Sequence, residues 1–255
     1  MINVIRNLSL LFMVFALPAQ VFAGENSAPV AEKDNYRECL NMAANNPKGA
    51  FDEATRWESL GGGHAARYCA LAALMGMGRY GEAAQGFERL ADALNSSVEF
   101  KAKILARGAE AWLLFGDNQN ALQAIDTAIR MNTEDAELFV VRAQVFAAMG
   151  AFWEATDDLG RAISIAPHDA DALAFRASAW RQLDVMDLAE EDAKRALGIV
   201  PTHPAALLEL GNILRIQGDN AGARQKWLAI ISAWPTSEAA RAAQTNIELL
   251  DVAKQ

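Results

Sequence analysis

Residues 136–169 read AELFVVRAQVFAAMGAFWEATDDLGRAISIAPHD, and residues 170–203 read ADALAFRASAWRQLDVMDLAEEDAKRALGIVPTH. Laid one on the other, the two stretches match at a small residue (Ala143, Ala177), an aromatic (Phe146, Trp180), a turn former (Gly150, Asp184) and three later positions (Ala155 with Ala189, Ala162 with Ala196, Pro167 with Pro201). The same phases recur on both sides. Ala109, Trp112, Gly116, Ala121 and Ala128 precede the pair, and Gly211, Leu214, Gly218, Ala223, Ile230 and Pro235 follow it. Four units therefore begin at residues 102, 136, 170 and 204, with a period of 34. A fixed period of this length with small and bulky residues at set phases means one two-helix element stacked repeatedly. Such a stack offers a binding surface rather than a reaction vessel.

Each phase has a physical reason. Small residues sit where two helices cross closely, and bulky ones fill the gap beside them. Glycine, or the aspartate at 184, suits the tight link between antiparallel helices. Proline closes each second helix, except in the first unit, where Thr133 holds that place. Residues 64–101 form a divergent pair, because Gly78 lies 38 residues before Gly116 and Leu71 replaces the small residue. A helical pattern starts near Tyr36 and is interrupted at Asn45-Asn46-Pro47; residues 36–62 are a further degenerate pair or a capping element. After Pro235, Ser237 caps a last helix whose stripe of Ala239, Ala242, Ala243, Ile247 and Leu250 covers the open end.

The pattern resembles the tetratricopeptide repeat family, on Phe139, Ala143, Phe146, Gly150, Phe152, Ala155, Leu159, Ala162 and Pro167 with their counterparts in neighbouring units. The resemblance covers residues 102–235. It implies an all-α, right-handed superhelical solenoid of antiparallel helix pairs, with first helices lining a concave groove, and residues 236–255 as a C-terminal capping helix. By that likeness, partner contacts fall on Gln144, Ser178, Arg181, Gln182, Asn212 and Arg215. Arg181 and Arg215 hold one phase in adjacent units and would grip a carboxylate of a partner. Asn212 stands where family members bind the backbone of an extended peptide. Members that bind chaperone tails carry lysine and asparagine at positions where this chain has Ala106 and Glu110, which excludes that ligand.

The first 23 residues have the form of an export signal. Arg6 precedes an apolar run from Leu8 to Leu17, and Val21-Phe22-Ala23 presents small residues for cleavage after Ala23. That run is too short for a permanent membrane anchor. Residues 24–35 are polar and turn-rich, a flexible lead-in. Cleavage removes one basic side chain and no acidic one, leaving 22 basic against 32 acidic and a net charge of −10. That balance speaks against nucleic acid and anionic membrane surfaces as partners. The expected location is the periplasm. In an oxidising compartment Cys39 and Cys69, the only cysteines, form one disulfide or remain two buried thiols. A bridge would close a loop of about 30 residues, worth about 3 kcal/mol in the chain-entropy model.

Chemistry-bearing constellations are sparse. Arg142 and Arg176 are each followed sixteen residues later by an aspartate, Asp158 and Asp192, while the other two units have Gly108 with Ala124 and Leu210 with Lys226. Arginine and aspartate occur together or not at all, which indicates an ion pair within each hairpin. His64, His168 and His203 have no second histidine or cysteine at metal-ligand spacing, and the last two fall in loops after the repeat prolines, expected to be exposed. Gly61-Gly62-Gly63 lacks the lysine and serine of a phosphate loop. No enzyme, cofactor or metal is expected. The expected function is a protein-interaction scaffold or adaptor of the cell envelope that binds a helix or peptide in the groove. The alternative is a structural subunit of an envelope assembly that binds through its convex face or by self-association, with Trp153 as a candidate contact.

Overall fold

The computed structural model describes residues 30–252, and these form thirteen α-helices and no strand: α1 (Val30–Asn45), α2 (Pro47–Ser59), α3 (Gly63–Gly76), α4 (Tyr80–Ala93), α5 (Val98–Phe115), α6 (Asn118–Met131), α7 (Ala136–Ala148), α8 (Phe152–Ile165), α9 (Ala170–Gln182), α10 (Met186–Ile199), α11 (Pro204–Ile216), α12 (Asn220–Ala233) and α13 (Glu238–Val252). The segment expected to be an export signal lies outside the described residues. Odd- and even-numbered helices pair as the repeat predicts. The second helices α6, α8, α10 and α12 start at Asn118, Phe152, Met186 and Asn220, spaced 34 residues apart. The chain divides within α7 into an N-terminal unit ending at Val141 and a C-terminal unit starting at Arg142.

In the N-terminal unit the divergence of residues 64–101 has a simple cause. Helix α5 has 18 residues where α7, α9 and α11 have 13, because an extra turn from Val98, capped by Ser97, is added at its start. That turn accounts for the 38-residue spacing. Leu71, at the phase elsewhere occupied by alanine or glycine, is accommodated by Gly86 on α4. A Cβ at Gly86 would stand 2.1 Å from Leu71 Cδ2. The missing Cβ at Gly86 leaves room for the larger side chain where the two helices meet. Helix α6 buries Ala121, Ala124, Ile125, Ala128 and Ile129, one stripe at helical spacing.

Helix α1 corrects one sequence reading. The polar pattern predicts a lead-in up to residue 35, but helix begins at Val30. Nothing between Pro29 and Asn45 breaks a helix, and the alanine, glutamate and lysine there favour one. Tyr36, Cys39 and Ala43, at helical spacing, are buried. Cys39 on α1 and Cys69 on α3 are joined by a disulfide with their Cα atoms 6.1 Å apart, packed with Ala54 of α2.

The C-terminal unit is the more regular. Gly150, Asp184 and Gly218 link its helices in the left-handed region, with Asp184 at φ 62°. Gly211 faces the indole of Trp227, fully buried, and a Cβ there would stand 2.5 Å from Nε1. Helix α13 is capped by Ser237, whose Oγ accepts from the Ala240 amide at 3.0 Å. It buries Ala239, Ala240, Ala243, Ile247 and Leu250 against Leu207, Ala223, Trp227 and Ile230. A terminal helix of this kind removes the apolar end that a repeat array would otherwise expose.

Candidate functional site

The predicted contact residues all lie in the C-terminal unit, on first helices. Gln144 is on α7, Ser178, Arg181 and Gln182 on α9, and Asn212 and Arg215 on α11. Their environments divide them. Arg181 is committed to Glu209 of α11, Nε to Oε2 at 2.6 Å and Nη2 to Oε1 at 3.4 Å, and Glu209 is buried. Asn212 Oδ1 accepts from Asn246 Nδ2 of α13 at 2.9 Å. These two side chains tie neighbouring helices together, so a partner would meet them already engaged. Of the arginine pair expected to hold a carboxylate, Arg215 is exposed and without hydrogen bond or ion pair among the described residues. Gln182 is exposed beside it in phase, and Ser178 and Gln144 are half-buried.

A third lateral tie departs from the sequence expectation. His203 is buried rather than loop-exposed, as the N-cap of α11. Its Nδ1 accepts from the Ala206 amide at 3.2 Å, so in that arrangement Nε2 carries the proton and donates to Asp171 Oδ1 of α9 at 3.0 Å. The physical reason is that proline at 204 opens the helix, so the residue before it becomes the cap rather than loop.

The ion pairs within hairpins are present as the sequence indicates. Arg142 forks onto Asp158 with both contacts at 2.7 Å, and Arg176 onto Asp192 at 2.7 and 2.8 Å. Both aspartates are buried, so each bidentate pair satisfies a carboxylate that burial would otherwise penalise. Arg142 also lies over the Phe146 ring, 5.8 Å from its centroid.

The N-terminal unit contains a charge cluster that sequence reading missed. Arg107 of α5, 5% exposed, binds Glu110 at 2.7 Å with one terminal nitrogen and Glu137 of α7 with the other. Burial works against the Arg107 charge, but the two glutamates outweigh it and hold the guanidinium cationic beyond its ordinary range. Burial pushes the Glu110 carboxyl up, with Arg107 opposing it. Lys103 approaches Asp135 at 3.8 Å beside this cluster. The one available signal was the offset: Arg107 and Glu137 lie 30 residues apart, and Arg181 and Glu209 lie 28 apart, close to one repeat. Such spacing joins successive first helices rather than the two helices of one hairpin.

Among the described residues no group of histidines, cysteines and carboxylates could hold a metal, and no helix is long and apolar enough to cross a membrane. No family model and no curated protein sequence matches the chain. Solved structures do match. TTC0263, a thermophilic TPR protein in Thermus thermophilus, superposes with a TM-score of 0.63 at 18% identity, over 74% of this chain and 99% of its own. MamA from Desulfovibrio magneticus RS-1 gives a TM-score of 0.54 at 16% identity, over 73% of this chain and 98% of its own. YrrB, a TPR protein with an unusual peptide-binding site, gives a TM-score of 0.50 at 17% identity, over 77% and 98%. At these identities the likeness is one of fold.

Proposed function

Because the chain has the tetratricopeptide-repeat fold, we propose that it is a non-enzymatic scaffold of the bacterial cell envelope that docks a helix or peptide segment of a partner protein on its first-helix face. One observation carries this reading. On that face the C-terminal unit pairs its structural polar groups with one another, as in Arg181–Glu209, Asp171–His203 and Asn212–Asn246, yet leaves Gln182, Arg215 and Ile216 exposed and unengaged. A face braced in this way is ordered before a partner arrives, so little ordering entropy opposes docking. The peptide-binding site of YrrB, on the same fold, supports the class of partner. The envelope location rests on the signal-like residues 1–23.

The test is in-cell crosslinking and capture from the envelope fraction, comparing wild type with a variant carrying Gln182→Ala and Arg215→Ala. Arg181 and Asn212 are left intact because their loss would loosen the unit itself. The captured chain should begin at Gly24, and partners held by wild type should be lost from the variant. Equal capture by both would overturn docking on this face, and a chain retaining its first 23 residues would overturn the export reading.

A further inference from the structure

A different face of the C-terminal unit has properties that the first-helix reading does not use. Helices α8 and α10 each turn one stripe to solvent, and the first half of each stripe is apolar and acidic. On α8 it comprises Trp153, Glu154 and Asp157; on α10 it comprises Asp187, Leu188 and Glu191, with Asp157 and Glu191 at one repeat phase. Trp153 is 58% exposed and Leu188 41%. The Trp153 indole is nonetheless held in place, because its ring meets that of Trp180 edge to face, centroids 5.8 Å apart and planes at 80°.

The charges on the two stripes are unbalanced in a specific way. The bases are engaged: Lys194 binds Glu190 at 2.5 Å, Arg195 binds Asp192 at 3.3 Å, and Arg161 has its own interaction. Glu154, Asp157, Asp187 and Glu191 have no hydrogen bond or ion pair among the described residues. Carboxylates in the first turns of a helix complement its dipole, which accounts for their placement. The dipole gives no reason for a tryptophan and a leucine to stand in water between them. Oriented tryptophans ringed by polar groups are the side chains that anchor protein interfaces.

We propose that the outer face of α8 and α10 docks a basic amphipathic helix of another protein, its apolar stripe on Trp153 and Leu188 and its lysines or arginines over Glu154, Asp157, Asp187 and Glu191. Charge complementarity selects this occupant, since four unpaired carboxylates repel an acidic segment and a second copy of this acidic chain alike. The face is independent of Gln182 and Arg215, so failure of either reading leaves the other standing.

The experiment measures fluorescence anisotropy of a labelled leucine–lysine amphipathic peptide, roughly five helical turns long, on the full mature chain. Its leucine–glutamate counterpart serves as the negative probe. Trp153→Ser should weaken binding of the basic peptide about tenfold, and Asp157→Asn with Glu191→Gln should weaken it and flatten its salt dependence. Asp52→Asn with Glu38→Gln, which removes equal charge from exposed positions of the N-terminal unit, should change affinity less than about twofold. Circular dichroism melts establish that each variant is folded. Unchanged binding by Trp153→Ser, equal weakening by the control pair, or equal binding of the acidic peptide would each overturn the proposal.

Discussion

At the scale of the residue, the most informative positions are those where one side chain is dictated by another far along the chain. Gly211 is glycine because the Trp227 indole occupies the space its Cβ would need, whereas Ala109, Ala143 and Ala177 at the same phase are followed sixteen residues later by the smaller Ile125, Leu159 and Ala193. Gly211→Ala must displace a fully buried ring in a packed core, a change that costs about 1–3 kcal/mol. Thermal unfolding followed by circular dichroism should show a loss of about 5 °C. An alanine variant as stable as wild type would mean that Trp227 has room to move. The small-residue phase was legible in the sequence because it repeats. Its reason at 211 was not, because the tryptophan that enforces it appears in one unit only.

At the scale of the element, the hairpin α7–α8 and the hairpin α9–α10 are each joined by a fork between arginine and aspartate, while α11–α12 has Leu210 at the arginine phase and leaves it buried. The fold thus accepts either solution. Asp158→Ala should cost about 2–3 kcal/mol, because Arg142, about a quarter exposed, loses the carboxylate that balances it. Arg142→Leu with Asp158→Ala should recover most of that loss, since no charge is left without its partner. Chemical denaturation of the two single variants and the double variant decides it. Additive losses would mean that the fork contributes little beyond its separate contacts. These pairs were legible because both partners lie within one unit and covary across units. The lateral ties, Arg181 to Glu209 and Asn212 to Asn246, were not, since each occurs once and its partner lies on the next first helix or on α13. This is why two of the six candidate contacts, Arg181 and Asn212, are already engaged within the fold. A groove position read by family phase alone reports where a side chain starts, not what it already holds.

At the scale of the whole molecule, a repeat array distributes stability locally, each pair resting on its neighbours. The Cys39–Cys69 bridge then matters most where it lies, between α1 and α3, which the sequence shows to be the least regular part of the chain. Those helices lack the 34-residue pattern, and covalent closure of the chain compensates by restricting their unfolded state, by about 3 kcal/mol. Reduction, or Cys39→Ser with Cys69→Ser, should therefore accelerate amide exchange in α1 to α3 by a factor on the order of 100. Amides of α11 to α13, braced by Trp227 and the apolar stripe of the capping helix, should exchange at their original rates. Hydrogen exchange read by mass spectrometry, with and without reductant, separates the two regions. Equal acceleration throughout would mean that the array unfolds as a single cooperative body, and the bridge would then stabilise α8 to α11 as much as the N-terminal helices it joins.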